Sequence, residues 1–107
     1  MTVNSVLAAL ADPTRRALID KLSKHGPLPV GILAKGTGVS RPAVSQHLAV
    51  LKAAGLVRDE PQATRRVYSV EMSGVVELRK YLDEMWGTAL AGLVRHANAP
   101  ARSRRGK

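Results

Sequence analysis

The stretch Gly38-Val39-Ser40-Arg41-Pro42-Ala43-Val44-Ser45-Gln46-His47-Leu48 decides the fold. Gly36-Thr37-Gly38 breaks the segment before it and permits a tight turn, and Ser40 is a strong N-cap. Residues 41–54 then carry a helical pattern that Gly55 stops. Val44, Leu48 and Leu51 fall at i, i+4 and i+7, which places them on one buried face. The opposite face holds Pro42, Ser45, Gln46, Ala49 and Ala53, with Arg41 at the edge of the first turn. A short helix over 30–35, with Leu33 and Ala34 inward, precedes the turn. Two helices joined by a short Gly-containing turn, the second capped by Ser and polar outside, make a helix-turn-helix pattern.

Upstream, Val3, Val6, Leu7 and Leu10 recur at helical intervals. Asp12-Pro13 restarts the chain, with Asp12 able to cap orphan amides and Pro13 suited to a first helical position. The helix that follows carries Ala17, Leu18 and Leu22 on one side and ends at His25-Gly26-Pro27. Downstream, residues 56–60 and 65–70 are β-leaning and are separated by Pro61-Gln62-Ala63-Thr64, a hairpin tip with a Pro and no Gly. A last helix over 75–97 carries Val75, Leu78, Leu82, Met85, Trp86, Ala89, Leu90 and Leu93. Residues 98–107 contain Pro, Ser and Arg without apolar periodicity, which predicts a basic, disordered tail. The fold expected is mainly α (α+β): a winged helix-turn-helix over residues 1–97, with helices and one β-hairpin wing.

Composition agrees with that reading. A chain of 107 residues allows one domain. With no Phe, one Trp and two Tyr, its apolar content favours closely packed helices over an aromatic-rich sandwich. Zero Cys excludes disulfides and thiolate metal sites. Seventeen basic residues against eight acidic ones give a net charge of +9, but Arg95, Arg102, Arg104, Arg105 and Lys107 supply five of the basic groups with no acid among them. The body therefore carries only +4, and the tail is expected to add salt-sensitive, sequence-blind affinity for a polyanion. No apolar run approaches the roughly 20 residues needed to span a bilayer. The N-terminus lacks the layout of a signal peptide, so a soluble, cytoplasmic chain without a membrane partner is expected.

A helix about 12 Å across fits the DNA major groove, where every base pair shows a distinct pattern of donors and acceptors. Gln46 can pair in bidentate fashion with adenine, Arg41 can reach guanine or phosphate, and Ser45 can serve either. The outward alanines leave little bulk to hold the helix off. His47 points to the edge of the buried face, and both a packed or capping role and a phosphate contact fit it. Arg65 and Arg66 have no acid adjacent in sequence and suit a wing touching phosphate or the minor groove. The candidate DNA-binding set is therefore Ser40, Arg41, Pro42, Ser45, Gln46, His47, Arg65 and Arg66. Catalysis has no support: His25, His47 and His96 are scattered, with no nucleophile-base pair or nucleotide loop around them. The alternatives are a protein-interaction winged helix and a nonspecific DNA-binding protein.

Several of these runs resemble ArsR-type bacterial repressors. They are Leu7-Ala8-Ala9-Leu10-Ala11-Asp12-Pro13-Thr14-Arg15-Arg16, the stretch quoted first, Leu51-Lys52-Ala53-Ala54-Gly55-Leu56-Val57 and Arg65-Arg66-Val67-Tyr68-Ser69-Val70. The resemblance spans residues 5–95. It implies a homodimer that represses transcription at an inverted-repeat operator in double-stranded DNA and pairs through its first and last helices. Val3, Val6, Leu7, Leu10, Leu82, Met85, Trp86, Leu90 and Leu93 would form that interface.

Two positions depart from the pattern: Thr37 stands where similar repressors place a larger apolar residue, and the wing tip lacks its usual Gly. Metal-sensing members use Cys on the short helix, or Asp and His clusters on the last one. Here residues 28–34 contain no ligand, and His96 is far along the helix from Asp83 and Glu84. The chain thus resembles the branch without metal ligands, described as autorepressors. No metal or cofactor is expected, and an inducer, protein or small molecule, is left open.

Overall fold

Polar caps set where the helices begin. In a computed structural model describing residues 2–97, Thr2 and Ser5 form a reciprocal capping box at the start of α1 (Val3–Leu10). Asp12 Oδ1 accepts from the amides of Thr14 at 2.7 Å and Arg15 at 3.2 Å, opening α2 (Pro13–His25). Strand β1 (Leu28–Pro29) and the short helix α3 (Val30–Ala34) follow. Ser40 Oγ accepts from the Ala43 amide at 3.3 Å and starts α4 (Arg41–Ala53). Strands β2 (Val57–Gln62) and β3 (Arg65–Val70) then lead into α5 (Ser73–Ala97). The expected basic tail lies outside the described residues.

The turn between α3 and α4 shows why Thr37 is tolerated. Gly36 and Gly38 both have φ of 77°, a conformation with little penalty only for glycine. Between them Thr37 Oγ1 donates to the Ala34 carbonyl at 2.8 Å, so a hydroxyl closes the turn where an apolar side chain was the familiar solution.

Val44, Leu48 and Leu51 of α4 are fully buried and meet Val6, Leu18, Leu22, Leu33, Leu56 and Val57 in one core. Burial of each such side chain stabilises by about 1.5–3 kcal/mol, which locks the rotation of α4 about its axis. Two expectations are corrected here. Val6 has no exposed surface, so it is a core residue with nothing left to offer a partner subunit. Ala17 is exposed, because the inward stripe of α2 runs through Leu18 and Leu22, one turn apart.

The sheet has three antiparallel strands in the order β1-β3-β2. The hairpin was expected; β1 was not, because a two-residue strand is too short to show a period. It pairs Leu28 with Tyr68 and Pro29 with Val67. β2 extends past residue 60, so Pro61 and Gln62 pair with Arg66 and Arg65 and only Ala63-Thr64 remains as the tip. Pro61 is compatible with pairing because β2 is an edge strand. The tip turns through Ala63 at φ 56°.

α5 starts at Ser73, two residues earlier than expected, where Gly74 packs against the α4–β2 turn and its amide donates to the Gly55 carbonyl at 2.8 Å. Val75 and Leu78 pack on the core, but from Arg79 to Ala97 every residue except Gly92 is exposed.

Candidate nucleic-acid interface

With one face of α4 buried, the other must look outward. Ser40, Arg41, Pro42, Ser45, Gln46, Ala49 and Ala53 are all exposed. Beside them lies a groove of about 580 Å³ whose walls include Lys35, Arg41, Ser45, Arg65, Arg66 and Tyr68. It joins the end of α3, the first turns of α4 and the wing. The fold therefore brings Arg41 and Ser45 together with Arg65 and Arg66, which are some twenty residues away in sequence. The Arg41 guanidinium lies back over α3, its Cζ 3.8 Å from where a Cβ on Gly31 would stand. Lys35 and Tyr68 were not anticipated. The sequence shows a Lys at the end of a short helix and a Tyr in a strand, and nothing in either local pattern says that the two line one groove.

The two wing arginines differ. Arg66 Nε donates to Asp59 Oδ2 at 2.7 Å, and Lys52 Nζ reaches Asp59 Oδ1 at 2.7 Å, with the Asp59 side chain only 7% exposed. The hydrogen bonds from Arg66 and then Lys52 hold the Asp59 carboxyl below its ordinary range, and Asp59 raises Arg66 in turn. No acid neighbours Arg66 in sequence, yet one lies diagonally across the hairpin from it. Arg65 is in no ion pair among the described residues.

His47 is half-buried, and its Nδ1 lies 3.3 Å from an Arg15 guanidinium nitrogen. Arginine can only donate, so Nδ1 is the acceptor in this contact. The same guanidinium donates to the carbonyls of Ala9 at 2.7 Å and Ala8 at 3.1 Å.

Among the residues that the resemblance placed at a dimer interface, Leu7, Leu82, Met85, Trp86, Leu90 and Leu93 are exposed and Val3 and Leu10 are half-buried. α1 and α5 pack against each other, so both lie on one side of the molecule. Among the described residues, no group of three or more His, Cys, Asp or Glu is arranged to hold a metal ion. None of the described helices is long and apolar enough to cross a membrane.

A helix fixed by its apolar face, with a polar face open beside a basic hairpin, defines a winged helix-turn-helix DNA-binding protein. Residues 12–59 match the family described as bacterial regulatory protein, arsR family. The HTH-type transcriptional regulator Rv2034 of Mycobacterium tuberculosis is 58% identical over 84 residues, which cover 78% of each chain. The transcriptional repressor SdpR of Bacillus subtilis is 37% identical over 68 residues, 64% of this chain and 74% of that one. Among solved structures, the homodimeric winged helix-turn-helix DNA-binding domain Mb0332 from Mycobacterium bovis, a possible ArsR-family transcriptional regulator, superposes with a TM-score of 0.60. It is 26% identical, with 88% of this chain and 80% of that chain covered. The chain belongs to the ArsR family, whose members are DNA-binding transcriptional regulators rather than enzymes.

Proposed function

We propose that this protein is a homodimeric repressor that binds an inverted-repeat operator in the cytoplasm and is controlled by something other than a metal. The observation that carries the DNA reading is the placement of Arg41, Ser45 and Gln46 on the open face of a helix whose other face is fully buried, with Arg65 beside them. Ser45 and Gln46 would read base edges; Ser40, Arg41, Pro42 and the wing would set the register against the backbone. Dimerisation is supported by the exposed apolar side chains of α5 and by the homodimeric state of the Mb0332 domain. Repression is supported by the likeness to SdpR. Control without metal is supported by α3, whose Val30, Gly31, Ile32, Leu33 and Ala34 offer no ligand, and by the lack of Cys in the chain.

The test is a titration against the DNA upstream of the protein's own coding sequence, at several salt concentrations and with competitor DNA. A specific site should bind roughly 10³-fold or more tightly than competitor. A flat ratio would favour a nonspecific DNA-binding protein, and no binding at low salt would favour a protein-interaction module.

A further inference from the structure

Arg15 is chemically over-engaged for a residue outside the DNA-facing surface. Its side chain is 18% exposed and its guanidinium meets three elements at once. Nε and one terminal nitrogen donate to Ala9 and Ala8 at the C-terminal end of α1, and the other terminal nitrogen donates to His47 in the middle of α4. Asp12, the N-cap of α2, stands 4.0 Å from that last nitrogen. The Ala9 carbonyl is among those a helix leaves unsatisfied at its end, and the Ala8 carbonyl also accepts from the Ala11 amide at 3.2 Å, so the fork completes the cap of α1 while holding α4.

The apolar contacts between these helices are non-directional. Val6 and Ala9 are buried in the core shared with Val44 and Leu48, and such packing permits small rotations of one helix over another. A planar guanidinium with donors at fixed angles does not. We propose that Arg15 is a positioning residue: through His47 it sets the angle between α1 and the recognition helix α4, and so the separation of the two recognition helices in a dimer. The proposal rests on the reading that α1 and α5 form the dimer interface. Given that, any play between α1 and α4 is doubled across the two-fold axis and appears as tolerance in half-site spacing, which dimeric helix-turn-helix proteins otherwise fix geometrically. His47 is then a strut on the recognition helix.

The test is selection from a randomised duplex pool about three helical turns long, at roughly 10.5 bp per turn. Wild type, R15K, H47A and H47N are run in parallel, with the mass of each measured in solution. R15K keeps the charge but loses the fork. H47A removes only the acceptor and leaves the bonds to Ala8 and Ala9, so it serves if R15K does not fold. H47N returns an acceptor oxygen close to the place of Nδ1.

Wild type should select half-sites at one separation. R15K and H47A should remain dimers but lose about tenfold of the preference for that separation over neighbours one base pair away, as expected for a lost charge-assisted hydrogen bond. H47N should keep the single separation. A loss of stability alone would lower affinity at all spacings equally. Dimeric variants that keep a single separation would overturn the strut and leave the dimer intact, whereas a monomeric wild type would remove both.

Discussion

Arg66 reaches diagonally across the hairpin to Asp59, Nε to Oδ2 at 2.7 Å, and the same carboxylate holds Lys52 of the recognition helix. The wing is thereby tied to α4 through one largely buried acid. A cation engaged in this way is partly neutralised before any phosphate arrives, so the two adjacent arginines should act differently.

Arg65→Ala should weaken binding on all DNA sequences and reduce the slope of log K against log salt by about 1, as expected for one lost phosphate contact. Arg66→Ala should change that slope less, because its charge is already opposed by Asp59. Gln46→Ala should instead relax preference at particular base pairs while leaving the slope in place. Titrations at a series of salt concentrations separate these outcomes, and equal slopes for the two wing variants would refute the distinction.

Asp59 also predicts an acid limit to stability. Its carboxyl is held below the ordinary value of 3.8, chiefly by the hydrogen bond from Arg66, so at falling pH the unfolded chain takes up the proton first. The stabilisation is complete above that ordinary value and is lost as pH falls through the lower, folded value. Asp59→Asn should remove this part of the acid dependence. At neutral pH it should cost about 1–2 kcal/mol, a modest figure because Lys52 and Arg66 are both half-exposed. Urea melts from neutral pH to below pH 4 would show it; an unaltered pH profile in the variant would not fit.

The parts of the fold that depend on periodicity and caps were legible in the sequence: Asp12 and Ser40 cap the helices expected of them, and Val44, Leu48 and Leu51 are buried. What escaped depends on contacts between distant residues. Asp59 reaches Arg66 only once β2 and β3 pair, and Lys35 lines the same groove as Arg65 and Arg66 only once the chain has folded. Val6 shared its helical stripe with Leu7 and Leu10, and spacing alone does not say which side of a short amphipathic helix meets the core and which meets a partner.

Gly74 is required by its neighbours rather than by its φ. A Cβ there would overlap the Ala54 carbonyl oxygen and stand 2.9 Å from that of Gly55, both of them backbone atoms that cannot swing aside. Gly74→Ala should therefore destabilise by about 1–3 kcal/mol, despite alanine's better helix propensity. Thermal melting should show a midpoint several degrees lower, and an unchanged midpoint would mean that α5 can shift away from the turn without penalty.

The opposite change is expected at the wing tip. Ala63 has φ 56° at the first of two loop residues, a position where two-residue hairpins commonly place glycine. Ala63→Gly relieves a left-handed conformation costing about 1–2 kcal/mol, against an unfolded-state entropy penalty of about 0.4–1 kcal/mol. The variant should melt higher by a few degrees; a lower midpoint would show that the strain is already relieved by the strands.

Trp86 is 58% exposed, and Met85, Leu90 and Leu93 expose comparable apolar surface on the same helix. Leaving such a stripe in water is unfavourable, and the proposed homodimer covers it by pairing α5 with its counterpart. Trp86→Asp puts a charge where a large aromatic would be desolvated, so it should weaken self-association by at least about a hundredfold. The fold of residues 2–78 should survive, because Trp86 contributes nothing to the core cluster. Sedimentation equilibrium over a range of protein concentrations would follow the shift from dimer to monomer, with circular dichroism reporting retained helix. DNA affinity should fall in step, since each half-site would then be bound by one recognition helix alone. Undiminished self-association in the variant would place the dimer contact on another surface.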